Sequence, residues 1–343
     1  MAASDERTGT GGYAVTQDLG QYVLVDEAHR ATALIDPNAG NNVTHFRVTP
    51  AGRDLPIDVF LPPTGPEGLG PNGYGAGNPI LFPFPNRVRG GEYAFRGRRY
   101  RLHINEPARG NHIHGLVCKL AWDVEAYGSS AAEGAWLRAV VDLSAHDEVM
   151  RQYPFPCRLA VTTRLKHAVL IQDATVTNTG QTAMPMGYGT HPWFPATLEG
   201  GSRRQTEVRI LAARYWELAQ LVPTGRTIPV EENAAQFDLR QWRALEDREY
   251  DDVFTDVLRR ADGWVEAGIR YPNVGLEVAV EASPEFREWV LYAPTTRPVI
   301  CLEPYTCTTN AINLQEQGID AGLIVLEPGA TWHGTIRTSL RQS

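Results

Sequence analysis

The segment GNHIHG, residues 110–115, places two histidines one residue apart between two glycines. An imidazole can bind a metal ion, transfer a proton, or lie in the core with its nitrogens hydrogen-bonded. In an extended segment, His112 and His114 would point to the same face of the chain. A zinc site needs three or four ligands, and no Cys or His at a familiar spacing supplies the others. We therefore predict no metal, and expect His114 to be a site residue and His112 a structural one.

A third histidine and a glutamate occur in similarly unusual settings. His191 lies in GYGTHPWFP, where Pro192 keeps the preceding backbone extended and two aromatic residues follow. Aromatic rings beside polar groups are common in carbohydrate sites, because apolar sugar faces pack on rings. Glu303 interrupts the apolar run VICL and precedes Pro304. A carboxyl at the end of a buried strand is costly unless it is paired or functional, and burial moves its pKa toward that of a general base. A purely structural role remains the alternative for both side chains.

Two polar groups offer contacts for hydroxyls. Asn86 and Arg87 follow the apolar run ILF, and the planar guanidinium fork suits hydroxyls or carboxylates. In EYDDVF, one of Asp251 and Asp252 should face inward from a strand and accept hydrogen bonds from a sugar. The neighbouring arginines are expected to be solvated turn residues, although recognition of a phosphate by the whole run is an alternative. They are Arg89, Arg96, Arg98, Arg99 and Arg101.

Short strands must position these side chains. Runs rich in Val, Ile, Thr, Tyr and Trp recur along the chain between Gly, Pro, Asn and Asp, a pattern typical of an all-β sandwich or barrel. In RLAVTTRL, Leu159, Val161 and Thr163 should share one face of a strand. Helices are predicted only in SAHDEVMRQY, with Ser144 as its cap, and in NAINLQEQG, ending at Gly318.

Composition restricts the class of protein further. With 343 residues, 43% hydrophobic and 21% charged, the chain is expected to be a soluble globular protein. A net charge of −8 argues against a nucleic-acid binder, and no apolar run is long enough to span a membrane. Four cysteines without paired spacing favour reduced thiols in the cytoplasm. We predict a loose tail over residues 1–15, one domain over 16–343, and a surface loop over 61–79 that is a candidate lid.

Taken in order, the motifs resemble the aldose 1-epimerase (galactose mutarotase) family. The similar segments span nearly the whole chain and are NRVRGGEYAFRGRRYRL, NHIHG, YPFPCRL, GTHPWF, YDDVF, ICLEPYTCTTNAIN and LEPGATWHGTIRTSL. Each motif alone is weak, and their specificity comes from the shared order of Asn-Arg, His-Gly, His and Glu.

The resemblance implies a β-supersandwich fold and interconversion of the α and β anomers of a free aldose, without metal or organic cofactor. By motif position, Glu303 looks like the general base and His191 like the general acid. His114 looks like a second active-site histidine, with sugar contacts from Asn86, Arg87 and Asp251. The expected partner is therefore a monosaccharide.

Three departures leave the identity of the sugar open. Leu116 stands where the family often has a second glycine, THPWFP replaces NHSYFN, and Val290 stands where some members have glutamine. Alternative functions are a non-catalytic carbohydrate-binding protein on the same fold and a hexose-phosphate mutarotase. A glycoside hydrolase or lyase is a further alternative, because Glu303 and Asp251 supply two carboxylates.

Overall fold

The computed structural model describes residues 8–65 and 67–343. Strands dominate this part of the chain, as predicted. In chain order, β1 to β15 are Thr8–Thr10, Tyr13–Asp18, Gln21–Asp26, Ala31–Asp36, Asn42–Val48, Ile57–Asp58, Ile80–Leu81, Arg87–Val88, Glu92–Phe95, Arg98–Arg101, His112–Ile113, Asp123–Ser130, Gly134–Asp142, Cys157–Lys166 and Val169–Asn178. Strands β16 to β29 are Met184–Met186, Gly189–Thr190, Trp193–Pro195, Glu207–Ile210, Ala212–Ala219, Val222–Pro229, Arg243–Ala244, Tyr250–Val257, Val265–Tyr271, Leu276–Ala282, Glu288–Ala293, Val299–Tyr305, Ile324–Leu326 and Thr331–Gln342.

Helices are short. The α-helices α1 to α3 are Asp147–Gln152, Ala234–Phe237 and Ala311–Glu316. Single 3-10 turns occur at Pro37–Ala39, Arg89–Gly91, Leu143–Ala145, Arg203–Gln205 and Val230–Asn233.

Three large antiparallel sheets form the architecture, which confirms the predicted fold class. Strands β1 to β6 pair in sequence order in a six-stranded sheet. A nine-stranded sheet has the order β12-β13-β14-β15-β29-β25-β24-β19-β22. An eight-stranded sheet has the order β21-β20-β23-β26-β27-β17-β7, with β18 paired to β27. The first sheet packs through β2 to β4 on β12 to β14 of the second.

The main core is built by alternation along these strands. In β14, Leu159 and Val161 are fully buried, as the period of two predicts. They join one apolar cluster with Val278 of the nine-stranded sheet and with Phe254 and Leu302 of the eight-stranded sheet. Side chains on the opposite face of β23, β26 and β27 do not enter this cluster and are available to build a site.

The prediction of a loose tail over residues 1–15 is wrong for its last residues. Residues 1–7 lie outside the described part of the chain, but Thr8–Thr10 and Tyr13–Asp18 pair as antiparallel strands. Tyr13 and Val15 belong to the main core. The Gly-rich sequence before Tyr13 made the strand pattern of Tyr13 and Val15 hard to recognise. The folded domain therefore begins before residue 16.

The predicted cap of the first helix is also wrong. Asp142 is the capping side chain, since its carboxylate accepts from the amide of Ser144 at 2.9 Å at the start of the 3-10 turn. The α-helix begins only at Asp147, after His146. An aspartate two residues upstream offers the turn a charged acceptor that Ser144 does not. The second predicted helix, α3, ends at Glu316, and Gly318 follows with φ of 80°.

Candidate active site

Strand β27 places Glu303 on the outer face of the eight-stranded sheet, which is the face that points away from the main core. Ile300 and Leu302 point into the main core, so Glu303 and Tyr305 point the opposite way. Glu303 is nevertheless only 1% exposed, because loops cover this face. In VICLEPY, the apolar residues Ile300 and Leu302 thus face the core, and the single acidic residue faces away from it.

Strand β23 places Asp251 on the same face. Tyr250 and Phe254 belong to the main core, whereas Val253 packs on the outer side with Tyr305. Asp251 therefore faces the site, and Asp252 points with the core side chains, where burial raises its pKa to about 6. Strand β26 lies between β23 and β27, with Tyr292 opposite Asp251 and Val290 opposite Glu303.

His191 lies in the connection between β17 and β18. Its amide donates to the carbonyl of Pro79 at 3.0 Å, and the next strand pairs Trp193 with Cys301 of β27. Only His191 and Pro192 separate the two strands, and this short connection holds the imidazole beside β27. The Trp193 indole stacks on His191 with ring centroids 4.9 Å apart and planes inclined by 13°.

His114 reaches the site because its backbone turns. Strand β11 pairs Ile113 with Arg87, and His114 then adopts φ of 64° while its amide donates to the carbonyl of Asn86 at 2.9 Å. The expectation that the two histidines of GNHIHG share a face is therefore wrong, since it assumed an extended chain. Both ring nitrogens of His112 lie near backbone carbonyls, those of His103 at 2.8 Å and Gly115 at 3.1 Å.

Arg87 is the charged centre of the pocket wall. It is 8% exposed. Its Nε lies 3.1 Å from Oε2 of Glu106, and its Nη2 lies 3.5 Å from Oδ2 of Asp251. Burial lowers the pKa of Arg87, but the two carboxylates outweigh that effect and raise it overall. Asn86, with φ of 58°, accepts from the Arg87 amide at 2.8 Å and from Nη1 at 3.3 Å. The guanidinium is thus fixed from three sides.

The structure brings all six predicted site residues together. They line one cavity of about 300 Å³, whereas His112 does not line it. The other seven lining residues were not predicted as site residues, although Trp193 is one of the two aromatic residues noted after His191. The complete lining is Tyr74, Asn86, Arg87, Glu106, Arg109, Ile113, His114, His191, Trp193, Asp251, Tyr292, Arg297 and Glu303.

The candidate acid and base face each other. Nε2 of His191 lies 3.6 Å from Oε1 of Glu303. Burial lowers the pKa of His191 to about 3 and raises the pKa of Glu303 well above its usual value. A hydrogen bond from Tyr305 and the charge of Arg87 oppose the shift of Glu303, while Asp251 adds to it. Burial thus favours the neutral form of each group.

Aromatic rings surround the histidines. Tyr74 lies edge-on to His114 at 4.5 Å between centroids and stacks more loosely on His191 at 6.3 Å. Burial, together with the neighbouring His191 and the charge of Arg87, lowers the pKa of His114 well below its usual value. A neutral His114 can both donate and accept a hydrogen bond, as hydroxyl recognition requires.

The loop predicted as a candidate lid supplies one of these rings. It lies within residues 61–79, where the indole Nε1 of Trp193 donates to the carbonyl of Tyr74 at 2.7 Å. The amide of Trp193 also donates to the carbonyl of Gly77 at 2.9 Å. The segment next to Tyr74 is thus tied to the pocket wall.

The arginine run divides between two places. Arg87 lies in the pocket, whereas Arg99 and Arg101 lie in the β9–β10 hairpin beside a different surface cleft.

In residues 8–65 and 67–343, no three His, Cys, Asp or Glu side chains are grouped to hold a metal ion. All four cysteines are buried free thiols.

The sequence model of the aldose 1-epimerase family matches residues 66–339. That match covers every residue of the cavity. The chain belongs to the aldose 1-epimerase family. It is 26% identical over 261 residues to the uncharacterized protein YihR of Escherichia coli K12, covering 73% of this chain and 74% of that protein.

Solved structures share the fold of this family member. A galactose mutarotase-like protein from Clostridium acetobutylicum superposes with a TM-score of 0.83 at 23% identity, over 94% of this chain and 95% of that one. The GalM/aldose epimerase homologue of C. elegans gives a TM-score of 0.72 at 16% identity, over 92% of this chain and 96% of that one.

The helices within the described residues include none with the length and apolar character needed to span a membrane.

Proposed function

We propose that this protein is an aldose 1-epimerase that interconverts the α and β anomers of a free hexose. The observation that carries the proposal is the 3.6 Å approach of Nε2 of His191 to Oε1 of Glu303 within a polar cavity. One group that takes a proton and one that gives a proton lie close enough together to contact the two oxygens of a single hemiacetal carbon.

The reaction needs proton transfers, cleavage and re-formation of the C1–O5 bond, and rotation about C1–C2. Glu303, as carboxylate, takes the proton of the C1 hydroxyl. His191, as imidazolium, protonates the ring oxygen as the C1–O5 bond breaks, which leaves an open-chain aldehyde. Rotation about C1–C2 and closure on the other face of the carbonyl give the other anomer, and the two residues act in reverse.

The charges on the pair follow from burial. Since burial favours the protonated form of Glu303 and the neutral form of His191, we infer that the pair holds one proton between them. Moving that proton from Glu303 to His191 creates the carboxylate and the imidazolium together and leaves the net charge unchanged. Arg87 favours the carboxylate form of Glu303 and so assists this transfer.

Other residues would hold the sugar. His114, Arg87 and Asp251 offer donors and acceptors for hydroxyls along one wall. Trp193 and Tyr74 offer ring faces and edges to the apolar parts of the sugar. A fixed orientation of the ring relative to the acid and base adds to the acceleration.

Polarimetry tests the proposal. Optical rotation is followed after α-glucose or α-galactose is dissolved with the wild-type protein, with Glu303→Gln and with Glu288→Gln. We expect Glu303→Gln to lower the enzymatic rate by about 10²–10⁴-fold, the usual contribution of one acid or base.

Glu288→Gln is the matched control. Glu288 is a fully buried glutamate of the same sheet whose carboxylate accepts from Trp216 and Thr255 and does not line the cavity. Burial raises its pKa to about 8, so the neutral amide is a close replacement near pH 7. Equal rates for the wild type and Glu303→Gln on every aldose would refute the proposal. Sugar binding without acceleration would instead support a non-catalytic binding protein.

A sugar phosphate is a second candidate substrate. Exposed Arg297 lies at the cavity with its guanidinium 4.6 Å from the Trp193 ring centroid, and Arg109 lines the same cavity. Positive charge at this position favours an anionic substituent on the sugar. A higher kcat/KM for glucose 6-phosphate than for glucose, reduced by Arg297→Met, would support the phosphorylated substrate.

A further inference from the structure

The Glu303 carboxylate has one oxygen facing the cavity and one facing the protein. Oε1 lies toward His191, whereas Oε2 accepts a short hydrogen bond from the hydroxyl of Tyr305. Tyr305 is two residues further along β27, so the two side chains point to the same face of the sheet. Tyr305 does not line the cavity and is 0% exposed.

The Tyr305 ring is held firmly. It packs on the outer side of the sheet with Leu81, Val253 and Val290. Strand β17 lies beside it, and a Cβ on Gly189 would come within 2.4 Å of the ring. A glycine at that position therefore makes room for the tyrosine.

The hydroxyl of Tyr305 is also oriented. Its single O–H donates to Oε2 of Glu303. The Asn86 side chain lies near enough to the phenol to lower its pKa, while the Asn86 carbonyl oxygen accepts from Arg87. Burial raises the pKa of Tyr305 well above its usual value, so the phenol keeps this proton.

We propose that Tyr305 is a positioning residue for Glu303, fixing Oε2 through its hydroxyl, so that Oε1 is the oxygen that exchanges protons with the sugar. This inference rests on the proposed epimerase function. The O–H donor stabilises the carboxylate relative to the protonated acid and so favours the state that takes the C1 proton.

Tyr305→Phe tests the proposal because it keeps the ring and removes only the hydroxyl. Loss of one hydrogen bond to a charged group should lower kcat about 10-fold or more and leave KM nearly unchanged. The carboxylate of Glu303 should form at higher pH by about one to two pH units. The alkaline limb of the kcat profile should move in the same direction.

Tyr188→Phe is the matched control. Tyr188 is 1% exposed and lies in the main core, and its hydroxyl makes no hydrogen bond within the described residues. Its removal should leave kcat and the pH profile unchanged. Urea unfolding of both variants verifies that each is folded.

Infrared spectroscopy supplies a readout that does not depend on catalysis. The Glu303 carboxylate band is isolated by subtracting the spectrum of Glu303→Gln and is titrated in the wild type and in Tyr305→Phe. A higher midpoint in Tyr305→Phe supports the positioning role, even if polarimetry refutes the epimerase function. An unchanged midpoint, or an unchanged kcat profile in an active enzyme, overturns it.

Discussion

Gly115 is the position in GNHIHG where an added methyl group should have the largest effect. Its φ is 71°, and a Cβ built on it would lie 2.1 Å from the carbonyl oxygen of Phe82 and 2.5 Å from the carbonyl carbon. The next amide, that of Leu116, donates to this same carbonyl at 2.7 Å. Gly115→Ala therefore cannot be accommodated unless the chain moves away from Phe82.

Gly110, at the other end of the motif, is a matched control. Its φ is 67°, and a Cβ there would meet nothing within 4 Å. Both alanine substitutions carry the cost of the left-handed backbone conformation, about 1–2 kcal/mol. Only Gly115→Ala adds steric overlap, about 1–3 kcal/mol, and a weakened hydrogen bond, about 1 kcal/mol. We expect losses of about 3–6 kcal/mol for Gly115→Ala and about 1–2 kcal/mol for Gly110→Ala.

Urea unfolding, followed by tryptophan fluorescence, measures the free energy of unfolding for the two variants and the wild type. Because Gly115 follows His114, the displacement should also lower the mutarotation rate of Gly115→Ala. Equal destabilisation by the two substitutions would refute the reasoning, since the overlap with Phe82 is what distinguishes them. A large loss for Gly110→Ala would refute it as well.

Two further predictions concern the charges of the pocket. The pKa of His191 near 3 and the raised pKa of Glu303 predict a kcat profile that is flat through pH 6.5, the ordinary histidine value, because the pair keeps its single proton there. Polarimetry across pH checks this, and a loss of activity centred near 6.5 would contradict a shared proton. Arg87→Met should lower the free energy of unfolding by about 2–4 kcal/mol, since it removes the buried cation that pairs with the carboxylates of Glu106 and Asp251, although Glu106 keeps a second ion pair with Arg109 at 3.4 Å. Exposed Arg99→Met is the control and should change the free energy of unfolding by less than about 0.5 kcal/mol in urea unfolding.

The candidate site was accessible from sequence because strand alternation exposes anomalies. Glu303 interrupts an apolar strand, and the pair Asp251 and Asp252 lies between hydrophobic residues of another. Such acidic residues in apolar strands are costly unless they are paired or functional, which marks them as candidates for a site. The same reasoning would have found Tyr305, which lies two residues after Glu303 on the same strand.

Other lining residues carry no comparable local signal. Glu106 lies in the loop segment INEPARG and reaches Arg87 only through the fold. Tyr74 lies in a Gly-rich loop, and Arg297 lies in a turn. Their positions depend on contacts with distant segments, such as the bond between the Trp193 indole and the Tyr74 carbonyl. Periodicity describes regular strands and cannot place loop residues relative to one another.

His114 lines the cavity, but not for the reason that the sequence pattern suggested. The extended-strand argument placed both histidines of the motif on one face, yet the left-handed backbone at His114 and Gly115 separates them. A non-glycine residue in that conformation costs free energy, so the surrounding contacts must hold it there. Asn86, with φ of 58°, is a second residue of this kind in the cavity wall. Because the amide of His114 donates to the carbonyl of Asn86, the two strained turns brace each other, and the imidazole of His114 is held by backbone geometry rather than by its own strand.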